Sequence, residues 1–156
     1  MNYIGVFMGN SGKNKEILDL MGKIYECEMA GIHRYLHYSF MIIGPNRIPI
    51  QKWFRNNASE SMTHAIEIGE KITSLGGHPP MVSSAVTESN IHTVQQFLEE
   101  SLKHEEDVLV LYVKLVALAV KHQDIALEEL ARGYVRMETE HSDEVRKMLR
   151  KPEVVA

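Results

Sequence analysis

One cysteine, Cys27, is all that the chain contains, which excludes a disulfide framework within it and any four-cysteine zinc or rubredoxin-type iron site. A reducing compartment suits that composition, and a cytoplasmic location is expected. No apolar run reaches the length of a membrane span, and the N-terminal stretch MNYIGVFMGNSGKNK has no basic segment leading into a long apolar one. A soluble protein with no membrane partner is expected. Positive charge is also scarce, with 17 Lys plus Arg against 21 Asp plus Glu, so the basic footprint of a nucleic-acid binder is missing and DNA is disfavoured as a partner. There is no Gly-rich phosphate loop followed by Lys-Ser/Thr, no Ser-His-Asp or Cys-His pattern, no internal repeat and no low-complexity tract.

What is present is helical periodicity. At 156 residues the chain is one domain's worth, long enough to bury a core unaided. Residues 1–13, rich in Gly and Asn, read as a flexible arm. A first helix is expected from about Asn14 to Ile43, with Ile17, Met21, Ile24, Ile32 and Tyr35 recurring at helical spacing before GPN at 44–46 stops it. A second runs from about Ile48 to Leu75 and ends in GGHPP. After a crossover rich in Ser, Pro and Thr, a third spans about Asn90 to Lys121 on Val94, Leu98, Leu109, Tyr112 and Val116. The fourth spans about Asp124 to Arg150 on Leu127, Leu130, Tyr134, Val145 and Met148, leaving 151–156 as a tail that Pro152 keeps from continuing the helix. Nothing alternates with period two, so no sheet is expected. The bundle occupies 14–150, its short first and third connections implying antiparallel neighbours and its long crossover able to traverse the bundle.

The residues that interrupt the apolar stripes carry the chemistry. Glu28 falls four after Ile24 and four before Ile32; Glu105 falls seven after Leu98 and four before Leu109. Glu138 and His141 sit between Tyr134 and Val145, and His64 lies on the line Trp53, Asn57, His64, Ile68. Singly, each is more often a hydrogen-bonded core residue than a ligand. Together they place three carboxylates and two imidazoles at one depth, where they would repel or strand one another unless a cation neutralised them. Carboxylate with imidazole suits iron or manganese, and the thiolates that favour zinc or copper(I) are missing.

Across almost its whole length the chain resembles the bacterioferritins and the related Dps-like ferritins. The likeness rests on ECEMAGIHRYLHYSF around Glu28, ESMTHA around His64 followed by EKITSLGGHPP, LKHEEDVLVLY around Glu105, and ETEHSDEVRKML with Glu138-x-x-His141. Spacings of 36, 41 and 33 residues separate Glu28, His64, Glu105 and Glu138 in turn. The resemblance implies a ferritin-like four-helix bundle with a long crossover between its second and third helices, and a di-iron centre with two irons per subunit. Glu28 and His64 would be terminal ligands of one iron, Glu105 and His141 of the other, and Glu138 would bridge them; Tyr35 matches a tyrosine often found nearby. It also implies ferroxidase activity, ferrous iron being oxidised by dioxygen or peroxide and stored as ferric mineral inside a homo-oligomeric shell.

Two departures qualify this. Ser61 stands where the second bridging glutamate belongs. At about 100° per residue, Ser61 and Glu60 lie about 60° and 40° to either side of His64, so Glu60 either supplies a replacement carboxylate, directly or through water, or is a solvated surface acid. Only fifteen residues follow His141, too few for the fifth short helix of bacterioferritins, so twelve-subunit and twenty-four-subunit shells both stay open. Met62 points about 160° from His64, onto an outer face with Ala58, Ala65, Ile66 and Gly69. The resemblance makes it a candidate haem b axial ligand at a two-fold dimer through helices one and two, while interface filler is the plain alternative. His33 and His37 fall on the outer face of helix one, and His92, His104 and His122 show no paired metal spacing, so all five read as exposed histidines. Lys13 and Lys15, or Arg146, Lys147, Arg150 and Lys151, are candidates for DNA phosphate contact, but four charges at a helix C-terminus more often complement its dipole and solvent. The alternatives to iron storage are a structural or haem-carrying subunit with an impaired centre, working beside a second ferritin subunit type, and a DNA-protecting mini-ferritin.

Overall fold

The computed structural model describes residues 11–151, which form four helices: α1 (Ser11–Met41), α2 (Arg47–Ser74), α3 (Val94–Lys121) and α4 (Ile125–Leu149). Among them there is no strand, and no helix is long and apolar enough to cross a membrane. Most of the expected arm, residues 1–10, and most of the expected tail, 152–156, lie outside the described residues. Helix α1 already begins at Ser11, ahead of the expected Asn14. Helix α3 begins at Val94, after the expected Asn90, because Asn90 takes a left-handed φ of 58° that no helix accommodates. Thr93 then caps it, its hydroxyl accepting the Gln96 N–H at 3.1 Å. Asp124 does the same for α4, accepting from Leu127 N–H at 3.1 Å. Helix α2 stops where Gly76 turns to φ +79° and the Gly77 N–H reaches back to the Ile72 carbonyl at 2.9 Å.

Contacts between named residues fix the helix directions. Tyr35 stacks on Phe54 while Tyr25 packs beside Gly69, so α1 and α2 run antiparallel. Tyr112 bonds Glu28 while Lys121 reaches Glu16, so α1 and α3 are antiparallel too. Tyr112 stacks on Tyr134 while Arg146 pairs with Glu106, which sets α4 antiparallel to α3. Helices α2 and α3 therefore run in the same direction, and the chain between them has to travel the bundle's length. It does so along α1: Pro80 lies over Gly22, and the Ser84 N–H donates to the Glu26 carbonyl at 2.9 Å.

The core is divided in two. At one end Ile17, Met21, Ile24, Ile68, Ile72, Val108, Tyr112, Leu115, Leu127 and Tyr134 pack together. At the other, Tyr35, Tyr38, Ile42, Phe54, Phe97, Leu98 and Val145 do, with Tyr38 and Phe97 stacked at 4.5 Å. Buried polar residues fill the level between them: Glu28, Ser61, His64, Glu105 and Glu138. Helical period explains the layering, since one stripe per helix faces inward and its polar members fall at matching heights. The observed stripes differ in detail from those expected. Ile32, Leu109, Leu130 and Val116 are only partly covered and Met148 is exposed, and Phe97, Val108, Leu115 and Ala131 take the innermost places.

Candidate metal centre

Helices α1 with α2, and α3 with α4, approach closely, and α1 also lies against α3, but α2 and α4 meet across the core through side chains. That wider side holds the polar level. His64 on α2 brings Nδ1 to 3.0 Å from Glu138 Oε1 on α4 and 3.4 Å from Glu28 Oε1 on α1. The other Glu138 oxygen lies 3.9 Å from His141 Nδ1. Two sets of three potential ligands result, Glu28 with His64 and Glu138, and Glu105 with Glu138 and His141, the ligand atoms of each lying within 4.8 Å of one another. Glu138 belongs to both. Among the described residues, the five expected ligands thus come together at one place.

Two of the three carboxylates have an orienting hydroxyl donor from a neighbouring helix. Tyr112 hydroxyl donates to Glu28 at 2.8 Å, and Tyr35 hydroxyl donates to Glu105. Tyr35 stands near the site as expected; Tyr112 belongs, on sequence, only to an apolar stripe. Its position seven after Glu105 put it on the same face, which was the available signal. Tyr134 lies edge-on to His64, centroids 4.9 Å apart, and donates its hydroxyl to Glu67. The two imidazole planes of His64 and His141 are nearly parallel, 11° apart with centroids at 6.5 Å.

The electrostatics are those of a site short of positive charge. Burial, reinforced by the neighbouring Glu138, raises the Glu105 carboxyl well above its usual range. Burial would also lower His64, but the hydrogen bonds and charges of Glu138 and Glu28 overcome it and raise the ring to about 10. Glu28 and Glu138 share one buried imidazolium and Glu105 lies outside its contacts, a charge balance that a divalent cation among the three would relieve.

Ser61 is buried, at 7 % exposure, against α1: its hydroxyl stands 2.7 Å from where a Cβ on Gly31 would be. Glu60 is half-exposed and places Oε2 3.4 Å from His141 Nε2. It lines, with Asn57, Ser61, His64, Glu105, Glu138 and His141, a small cavity at the site, but joins neither set of three ligands. Met62 is 50 % exposed in an apolar groove of about 530 Å³ with Tyr25, Met29, Ile32 and Ile66. Ala65 and Gly69, expected on that outer face, line the same groove, whereas Ala58 is buried in the core. His104 is not the exposed histidine expected; it is half-buried beside Tyr35, and burial lowers it to about 4. The basic group at the end of α4 is largely neutralised, Arg146 pairing with Glu106 at 2.8 Å and Asp143 at 2.9 Å, and Lys147 with Glu144.

A sequence model of the ferritin-like domain matches residues 18–154. No curated protein matches the chain significantly. Among solved structures, the fold is similar to a ferritin-like diiron-carboxylate protein from Bacillus anthracis str. Ames, at TM-score 0.85 and 24 % identity over 90 % of this chain and 99 % of that one. It is similar also to Dps from Thermosynechococcus elongatus, at TM-score 0.83 and 20 % identity over 92 % and 97 % of the two chains. Desulfovibrio desulfuricans bacterioferritin, a structure described with its diiron site in different catalytic states, matches at TM-score 0.81 and 18 % identity over 88 % and 80 %.

Proposed function

The chain belongs to the ferritin-like domain family, and from that premise we propose that it oxidises ferrous iron at the site between α2 and α4 and stores the ferric product inside a homo-oligomeric shell. The observation that carries this reading is the buried polar level, two ligand sets joined through Glu138 in the gap between two apolar cores. Glu28 and His64 would hold one ferrous ion, Glu105 and His141 the other, with Glu138 between them. Iron here is the substrate: two ferrous ions give up two electrons, which reduce dioxygen to peroxide or peroxide to water. The protein's contribution is positional. Tyr112 and Tyr35 fix the carboxylates they bond, the apolar layers on either side exclude water, and His64 must release its proton before its ring nitrogen can ligate.

Glu60 supplies the charge missing at Ser61 in this proposal, from the solvent side of His141, the imidazole it already approaches. Aerobic ferrous titration of the assembled protein tests the whole reading. Oxidation of two irons per chain, faster than in buffer, is expected; a rate equal to buffer would leave the alternative of a structural subunit with an impaired centre, which the loss of a bridge at Ser61 favours. Homo-oligomerisation is supported by the apolar residues left open on α1 and α2, Phe40, Ile48, Met62 and Ile66, all at least half exposed. The groove around Met62 fits one half of a haem pocket, with an exposed thioether as the ligand and apolar walls; a second copy would complete it. A Soret band in the purified protein tests for haem. The DNA-protecting alternative is weakened by the pairing of Arg146 and Lys147.

A further inference from the structure

A second group of metal-ligating side chains lies outside the bundle core, where the crossover meets α1. His37 Nε2 is 2.9 Å and His92 Nε2 2.8 Å from the same oxygen, Glu88 Oε1. The ligand atoms of all three lie within 4.8 Å of one another. The side chains are 44, 39 and 31 % exposed for His37, His92 and Glu88 respectively, so an ion can reach them from water.

The backbone explains how His37 comes to meet Glu88, 51 residues on in sequence, at the oxygen that His92 also bonds. The crossover is fastened along α1 by the Ser84–Glu26 hydrogen bond, which leads Glu88 up to His37. Asn90, at φ 58°, then turns the chain back, so that His92 returns to Glu88 before Thr93 opens α3. Neighbouring rings hold the imidazoles: His37 packs edge-on to Tyr38 at 6.1 Å, and His92 lies tilted over Phe97 at 6.1 Å. Both aromatic partners belong to the buried cluster of the bundle, so the ligands are mounted on a rigid base.

The donor set decides the ion. Hydrogen bonds from His37 and then His92 hold the Glu88 carboxyl below its ordinary range, so it is an anion at neutral pH. Two imidazole nitrogens and one carboxylate oxygen suit zinc and the neighbouring borderline divalent ions, and do not suit calcium or magnesium, which take oxygen. An ion between them would replace the protons through which both rings now bond to Glu88. We propose that His37, Glu88 and His92 form a surface site for a zinc-class divalent ion, with a water-filled open position, that clasps the crossover to α1. It uses none of the residues of the bundle centre.

The test compares the assembled wild-type protein with His37→Ala/His92→Ala and with Glu88→Gln. Each is stripped of metal and titrated with zinc alone, with metal per chain determined after equilibrium dialysis. The wild type is expected to bind one zinc per chain more than the double variant, and Glu88→Gln to weaken that ion's affinity about tenfold or more. Ferrous oxidation by the double variant is expected to equal the wild type's, which separates this site from the bundle centre. Equal zinc stoichiometry and affinity in all three proteins overturns the proposal. If the double variant fails to assemble, the nearly isosteric Glu88→Gln decides alone, unchanged zinc binding again overturning it.

Discussion

Glu138 is the one carboxylate that both ligand sets share, so its replacement should be felt at both metals at once. Glu138→Gln keeps the volume and removes the charge; we expect ferrous oxidation to fall about 100-fold and calorimetry to lose both tight metal events together. Among the described residues Glu60 makes an ion pair with His141, from the solvent side. Glu60→Gln should therefore slow oxidation by about tenfold while leaving thermal stability within about 0.5 kcal/mol, as expected of a half-exposed residue. An unchanged oxidation rate would return Glu60 to the role of a solvated acid. Tyr35 loses a buried hydrogen bond to a carboxyl on truncation to Phe, and about 1–2 kcal/mol of unfolding free energy should go with it.

At the level of elements, the site depends on how closely α1 and α2 approach. Gly31 permits that approach, for a Cβ there would stand 2.7 Å from Ser61 Oγ and 2.8 Å from His104 Nε2. Gly31→Ala must push the helices apart or displace both side chains, at a cost of about 1–3 kcal/mol measurable by denaturant unfolding. It should also weaken metal binding, since Glu28 lies one turn away on the same helix. Thr93 marks where the crossover ends and α3 begins, and Thr93→Ala should cost about 1 kcal/mol through the lost cap alone. Periodicity alone sets that boundary at Asn90, because NIHTV carries both a plausible helix start and a left-handed turn. Only the hydrogen bond from Gln96 selects Thr93.

For the molecule as a whole, the metal-free state carries its own penalty. Glu105 is raised above 4.5 and His64 above 6.5, to about 10. A group raised on folding contributes its full stability below the unfolded value and loses it as pH climbs toward the folded one. The melting temperature of metal-free protein should therefore fall as pH rises from 4.5 upward on account of Glu105, and again between 6.5 and about 10 on account of His64. Metal removes the conflict: at a free concentration 100 times Kd it should add about 2.7 kcal/mol and flatten the pH dependence, which differential scanning fluorimetry will read. A metal-free profile that rises through neutral pH would contradict the charge balance described for the centre.

The four helices, the long crossover and the five inward polar residues were legible in the chain itself, because periodicity is local and a carboxylate amid an apolar stripe announces itself. Glu28, His64, Glu105, Glu138 and His141 could be selected on that ground alone. Which atoms meet could not: that Glu138 stands between two imidazoles, that Glu60 turns toward His141 from outside, and that Ser61 faces Gly31 depend on helix rotation and separation, set by packing over the whole bundle. His37 and His92 looked like scattered surface histidines for the same reason. They share an oxygen only because a left-handed residue and a crossover laid along α1 carry distant segments together, and no local pattern records that meeting.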